Sequence, residues 1–411
     1  MRNIRIDGQR LWDSIMEMAK IGATAKGGSN RQTLTDEDKV GRDLFVRWCR
    51  EAGLEVTVDR MGSIFARRPG RNNDLPPIMS GSHLDTQPTG GRFDGVLGVL
   101  AALEAVRTLN DHGVETEAPI EIVNWTNEEG ARFPPPMIAS GVFAGVFSLE
   151  EAHAIRDAAG KTIGEELERI GYKGEAAVGG RPVGAYFELH IEQGPILERE
   201  GKPVGICTAG QGARWYEVTV SGEAGHAGAT PMDMRQDALV TAARIVQSVQ
   251  RIGRRRDPYG RGTVGIMRVS PGSPNVVPDD VFFTVDIRHP EAATMTEMDG
   301  ELRAAAAEAA EAEGTRVEVK EIWYSPPVDF DRTCIETVRA AAGSLGHAHM
   351  DMVSGAGHDA VYMARVAPTA LIFAPCEKGL SHNEAENCKP EDLAAACDVL
   401  FHAILERADA K

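Results

Sequence analysis

The chain has 411 residues, 44 Lys+Arg against 61 Asp+Glu, a formal charge of -17 and 42% hydrophobic residues. That length points to two domains with real cores. The acidic balance repels phosphate backbones and excludes a nucleic-acid partner. No apolar run approaches the ~20 residues that cross a bilayer, and the opening MRNIRIDGQRLWDSIMEMAK is too charged for a secretory segment. Six cysteines without a CxxC pair suit a reducing compartment, so the expected location is cytoplasmic.

The first 50 or so residues read as two helices. The second starts at a cap-like Thr35-Asp36-Glu37-Asp38, shows Val40, Leu44 and Trp48 as its apolar stripe, and stops at Gly53. Leu54–Val58 and Ser63–Arg67 form an expected hairpin, followed by strand Pro77–Ser80, helix Gly95–Leu109 and strand Ile120–Trp125. Strands alternating with helices predict an α/β layer with helices on both faces of the sheet. From Arg214 to Tyr324 the pattern changes to strand Trp215–Val220, helix Asp233–Arg251, strands Thr263–Val269 and Val281–Arg288, helix Met295–Glu313 and strand Arg316–Ile322. That β-α-β-β-α-β order predicts a ferredoxin-like domain, residues 214–324, inserted into an α/β domain of residues 1–213 and 325–411. Strand Ala370–Ala374 and helix Glu391–Leu405 close the chain.

Chemistry-bearing residues collect at predicted strand ends. GSHLDT carries His83 and Asp85 on one face of an extended segment, the spacing of a metal ligand and the carboxylate that takes its other N–H. GGRFDGVLG sets Asp94 at the mouth of a helix, where it either caps the helix or bridges cations. Strand Ile120–Trp125 delivers Glu128 and Glu129, a pair able to divide proton transfer from metal binding. His190 stands in ELHIEQGP and His382 in LSHNEAE. Singly, each is as readily a cap, a packed histidine or a surface acid. Together, three imidazoles and two carboxylates around one sheet match a paired divalent-cation site. The glycines of Gly90–Gly98 lack the GxGxxG spacing and do not predict nucleotide binding.

The series GSHLDT, GGRFDGVLGVLAALE, NEEGARF, ELHIEQGP, SGEAGHAGATPM and LSHNEAE closely resembles the aminoacylase-like dinuclear metallohydrolases, in their hydantoinase/carbamoylase branch, over nearly the whole chain. The resemblance implies a mixed-sheet catalytic domain with an inserted dimerisation or lid domain, a homodimer, and two divalent ions, zinc or manganese, cobalt or nickel. It implies that His83 and His190 hold one metal, Glu129 and His382 the other, and that Asp94 bridges them. Glu128 is then the general base, His226 the donor to the developing oxyanion, reaching a neighbouring subunit's site, and Arg288 with Asn275 the clamp for a substrate carboxylate. Gln193, Gln211, Gly357 and His358 are further pocket residues. The expected substrate is a carboxylate-bearing ureido compound, an N-carbamoyl-L-amino acid, ureidopropionate or allantoate, cleaved to ammonia and carbon dioxide. His190 stands where peptidase relatives more often carry an acid, which favours this branch over an aminoacylase or dipeptidase. A fold that lost its chemistry and only binds ligands is disfavoured by the intact ligand set and Glu128. One departure is the Pro-rich Arg132–Met137, expected to stiffen a pocket wall.

Overall fold

The computed structural model describes residues 4–410. Tertiary contacts divide the chain into one unit running to Thr208 and resuming at Asp329, and a second unit, Ala209–Val328. These divisions fall a few residues outside the expected 214–324.

The first unit is built on a 9-stranded sheet whose centre runs Ile120–Trp125, Ile78–His83, Ala185–Ile191, Thr369–Ala374. These four strands are parallel, and every residue in them is buried, the pattern of strands covered on both faces. Antiparallel strands flank them: the hairpin Glu55–Val58 and Ile64–Arg68 on one side, Val204–Gly210 on the other. Parallel strands align their carboxyl ends along one edge, where open α/β sheets place their ligands. That edge receives His83, the Asn127–Glu129 loop, His190 and the loop after Ala374. Strand Ala185–Ile191 escaped the sequence reading because Glu188 and His190 interrupt its apolar run. Both are buried and hydrogen-bonded, Glu188 to Ser82, Tyr186 and the Ala360 N–H.

Helix Val96–Asp111 is apolar on nearly every side and correspondingly buried. Helix Asp36–Glu51 begins where expected, Thr35 accepting from the Asp38 N–H, a cap that contributes about 1 kcal/mol. Its buried face differs from the predicted stripe. Val40 is 52% exposed, and Gly41, Arg42, Leu44, Phe45 and Cys49 face inward, because a buried Arg42–Asp38 ion pair at 2.7 Å turns the charged flank of the helix into the core.

The second unit has its own core, with Tyr216, Val218, Phe283, Val285, Ile245, Val249 and Leu302 among its buried residues. Its sheet runs Met267–Ser270, Asp280–His289, Gly212–Ser221, Arg316–Ser325, all antiparallel. In chain order this is 2-3-1-4, the ferredoxin-like arrangement. Strand Asp280–His289 alternates buried and half-buried residues throughout, as a sheet covered on one face does. The predicted strand Thr263–Val269 is two strands, Arg261–Thr263 and Met267–Ser270, pairing the same neighbour. The first long helix of this unit begins at Ala238 rather than Asp233, because Asp237 caps it through the Leu239 and Val240 N–H groups.

Candidate metal centre

His83 ends its strand and His190 sits near the end of the next parallel strand, with ring centroids 5.8 Å apart. His83 Nδ1 lies 2.9 Å from the Asp85 main-chain carbonyl, and His190 Nδ1 lies 2.9 Å from the Ile191 carbonyl. A carbonyl only accepts, so both Nδ1 atoms carry protons, and a neutral ring then leaves a lone pair at Nε2. Both Nε2 atoms face Asp94 Oδ1, at 3.7 and 3.1 Å. His382 Nε2 lies 3.5 Å from Asp94 Oδ2 and 3.2 Å from Glu129 Oε2. Two groups thus form, His83–Asp94–His190 and Asp94–Glu129–His382, each with its ligand atoms all within 4.8 Å of one another. Asp94 belongs to both.

Lone pairs aimed at carboxylate oxygens repel unless positive charge lies between them. Without a metal, protons supply it at His190 and His382, while burial holds the His83 ring below its ordinary value. Burial opposes ionisation of Asp94, yet the His190 hydrogen bond and the charges of His190, His83 and His382 hold its carboxyl well below the usual range. Burial disfavours a charged His190, and Asp94 overrides it, raising the ring to about 9. The Glu129 hydrogen bond lifts His382 to about 9. A divalent cation bound there would do the same work with the rings neutral. Imidazole and carboxylate donors without thiolate fit zinc, manganese, cobalt or nickel, so the residues present fit a metal site.

The surroundings hold this geometry. Gly95 has φ 67°, and a Cβ there would meet the His83 ring at 2.3 Å; only glycine allows helix Val96–Asp111 to begin against that imidazole. Asp94 makes no side-chain cap to the helix, so its carboxylate is left to the imidazoles. Gln193 Nε2 and Ser381 Oγ donate to Asp94 Oδ2 at 2.9 and 2.7 Å. Buried Glu386 accepts the Phe93 and Asp94 N–H groups at 2.8 and 3.2 Å. Gln87 donates twice to the Glu129 carboxylate. Sequence reasoning assigned no role to Ser381, Glu386 or Gln87. The only signal for Glu386 was its place in LSHNEAE, four residues past His382.

Asp85 corrects an expectation. Its carboxylate is 3.9 Å from His83 Nδ1, and the imidazole proton goes to its main-chain carbonyl instead. The carboxylate accepts the Glu128 and Glu129 N–H groups at 3.3 and 3.2 Å, tying the His83 loop to the glutamate loop.

Glu128 is buried, its Oε2 3.3 Å from His83 Nε2. Burial, with the carboxylates of Asp359 and Glu129, pushes its carboxyl well above the usual range. His358 is buried with its ring 4.4 Å from that of His190. Its Nε2 makes no hydrogen bond among the described residues. Gly357 precedes it in the loop after strand His349–Ser354. Arg132, at the start of the Pro-rich loop, is pinned by Asp157 and Glu166, while Asn127 Nδ2 donates to the Phe133 carbonyl.

The remaining sequence-predicted residues lie in the second unit. His226 is exposed, and its Nδ1 accepts the Gly228 and Ala229 N–H groups at 3.1 and 3.2 Å. The proton of the neutral ring is therefore on Nε2, which is a donor. Val276 pairs with His226 across a two-stranded sheet, which sets Asn275 beside it; the Asn275 carbonyl accepts the Ala227 N–H. Arg288 is held by Asp286 through Nε and Nη2, at 2.9 to 3.2 Å. Gln211 donates to the Tyr259 carbonyl.

Residues 79–406 match the family model of peptidase family M20/M25/M40, and the chain belongs to that family. The resemblance drawn from the motifs is borne out at closer range. An N-carbamoyl-L-amino-acid amidohydrolase of Rhizobium meliloti is 55% identical over 99% of this chain and 98% of its own. Another, from Geobacillus stearothermophilus, is 39% identical over 98% and 99%. A crystal structure of an amidase of the hydantoinase/carbamoylase family from Burkholderia multivorans superimposes with TM-score 0.97 at 58% identity, covering 99% of each chain.

Proposed function

We propose that this protein hydrolyses the carbamoyl C–N bond of an N-carbamoyl-L-amino acid, releasing ammonia, carbon dioxide and the amino acid. The observation that carries the reading is the buried carboxylate of Asp94 facing three imidazole Nε2 atoms, with Glu128 beside them. The relatives of Rhizobium meliloti and Geobacillus stearothermophilus support the substrate class.

In this reading His83, Asp94 and His190 hold one divalent cation and Asp94, Glu129 and His382 a second. When bound, the cations supply Lewis acidity toward the carbamoyl carbonyl and the attacking water. Glu128 takes the proton of that water and returns it to the departing nitrogen. Its raised affinity for a proton suits a group that must both accept and deliver one. His226 donates its Nε2 proton to the carbonyl oxygen as negative charge grows there. Arg288 and Asn275 bind the substrate carboxylate, Asp286 holding the guanidinium fork in plane. Gln193, Gln211, Gly357 and His358 are further candidate contacts for the substrate.

The same reading makes the protein a homodimer through its second unit. Trp215, Leu239, Val240, Ile322, Trp323 and Tyr324 are all at least 37% exposed there, large apolar side chains of the kind that a subunit interface covers. Six free, buried cysteines support a reducing, cytoplasmic location.

The test is turnover by purified protein supplied with Zn2+, Mn2+, Co2+ or Ni2+, read as ammonia from carbamoyl and ureido substrates and as free amino acid from N-acyl substrates. N-carbamoyl-L-amino acids, ureidopropionate, allantoate and N-acyl amino acids are offered in parallel. The proposal expects the highest kcat/KM on N-carbamoyl-L-amino acids. Turnover confined to allantoate or N-acyl amino acids would replace it.

A further inference from the structure

Arg31 is almost completely buried, 1% exposed, and no carboxylate lies within ion-pair distance of it among the described residues. A buried guanidinium is costly unless its N–H groups find acceptors and its charge an opposing field. Here the acceptors are mostly main-chain. Nε donates to the Leu84 carbonyl at 2.8 Å. Nη1 donates to the Ile21 and Met18 carbonyls at 2.8 and 3.2 Å and to Ser29 Oγ at 3.3 Å. Met18 ends helix Gly8–Met18, so the cation sits at the negative pole of a helix. Burial lowers Arg31 to about 10, with Asp38 and Asp85 opposing; the side chain stays charged.

Leu84 lies between His83 and Asp85. The carbonyl that Arg31 holds belongs to the turn whose next carbonyl fixes His83 Nδ1 and whose carboxylate fixes the Glu128 and Glu129 N–H groups. The main chain repeats the clamp: Arg31 N donates to Thr86 Oγ1, Thr86 N to the Arg31 carbonyl, and Ser29 and Gly90 exchange N–H and carbonyl. Helix Asp36–Glu51 makes room for the side chain with Gly41, where a Cβ would stand 2.9 Å from Arg31 Cδ.

The geometry points to Arg31 as a positioning residue of the metal centre, its guanidinium anchoring the Leu84–Asp85 turn and through it the orientation of His83, Glu128 and Glu129. This inference rests on the proposed metal-centre reading. It reaches beyond that reading to a side chain that touches neither metal ligand nor substrate. Lysine keeps the charge but lacks the planar fork that reaches several acceptors at once.

The experiment titrates metal-stripped wild type, Arg31→Met and Arg31→Lys with Co2+ against a competing chelator. It also records the cobalt electronic spectrum, the circular dichroism, and kcat and KM separately. We expect folded Arg31→Met to bind Co2+ about 10- to 100-fold more weakly, the range typical of partners that orient metal ligands. Its spectrum should change, with kcat lowered and KM held, and Arg31→Lys should recover part of the loss. Wild-type affinity and spectrum in folded Arg31→Met, with only a lower melting temperature, would overturn the proposal. If Arg31→Met does not fold, Gly41→Ala displaces the same side chain without removing its charge. Weaker Co2+ binding in that variant supports the proposal, and unchanged binding overturns it. Wild type that takes up no Co2+ defeats the metal-centre reading itself, and the proposal with it.

Discussion

The two units hold their chemistry in opposite ways. In the first, His83, Asp94, Glu128 and His190 are buried, and each sits on a strand end or loop locked by partners far away in sequence, such as Glu386 on the Asp94 loop. In the second, His226 and Asn275 are exposed and are held on a two-stranded ribbon by main-chain pairing and by the turn that follows His226. Burial in the first unit excludes water, so lone pairs and charges act on one another at full strength and their positions must be fixed in advance. Exposure in the second leaves donors free to meet a ligand, at the cost of less preorganisation. A metal centre needs the first arrangement and recognition of a polar substrate tolerates the second.

Substitutions on the two sides should therefore fail differently. Asp94→Ala removes the one residue common to both ligand groups, and should abolish both metal uptake and turnover, read by metal content and ammonia release. Glu128→Gln should keep its metal and lose about 10²- to 10⁴-fold in kcat; near-normal turnover would remove it as the base. His226→Ala should lose about 10²- to 10³-fold in kcat, the usual cost of one oxyanion donor, with metal content unchanged. Arg288→Ala should raise KM roughly 10- to 100-fold, in line with about 1.5–3 kcal/mol for a charged hydrogen bond. A lower kcat at unchanged KM would place the carboxylate clamp elsewhere. Thr35→Ala, outside both sets, should cost about 1 kcal/mol in denaturant unfolding and leave kcat and KM alone. If His226→Ala or Arg288→Ala stripped the protein of metal, the division between the units would not hold.

The same division explains what the sequence made legible. His83, Glu128 and Glu129 stand at or beside the ends of strands whose hydrophobic runs are plain in the sequence, whereas His190, on a strand that was not, stands out by its motif alone. The five candidate ligands could be named together because each lies in a compact local motif. What stayed hidden depends on pairings between segments far apart. Glu386 reaches the Asp94 loop across nearly three hundred residues, and Gln87 reaches Glu129 across two strands. Asp85 was placed in the right loop with the wrong partner, because residue spacing does not say whether a carbonyl or a carboxylate will meet the ring. Val40 misled for a related reason: a buried ion pair outweighed an apolar stripe, and nothing local announces that Arg42 and Asp38 are interior.

In the proposed metal centre Asp94 is shared by two cation sites. Anomalous diffraction from crystals grown with Mn2+ or Zn2+ tests it directly. Two peaks should flank the Asp94 carboxylate, one against His83 and His190 and the other against Glu129 and His382. A protein saturated with metal whose peaks lie away from Asp94, or that shows none, would contradict it.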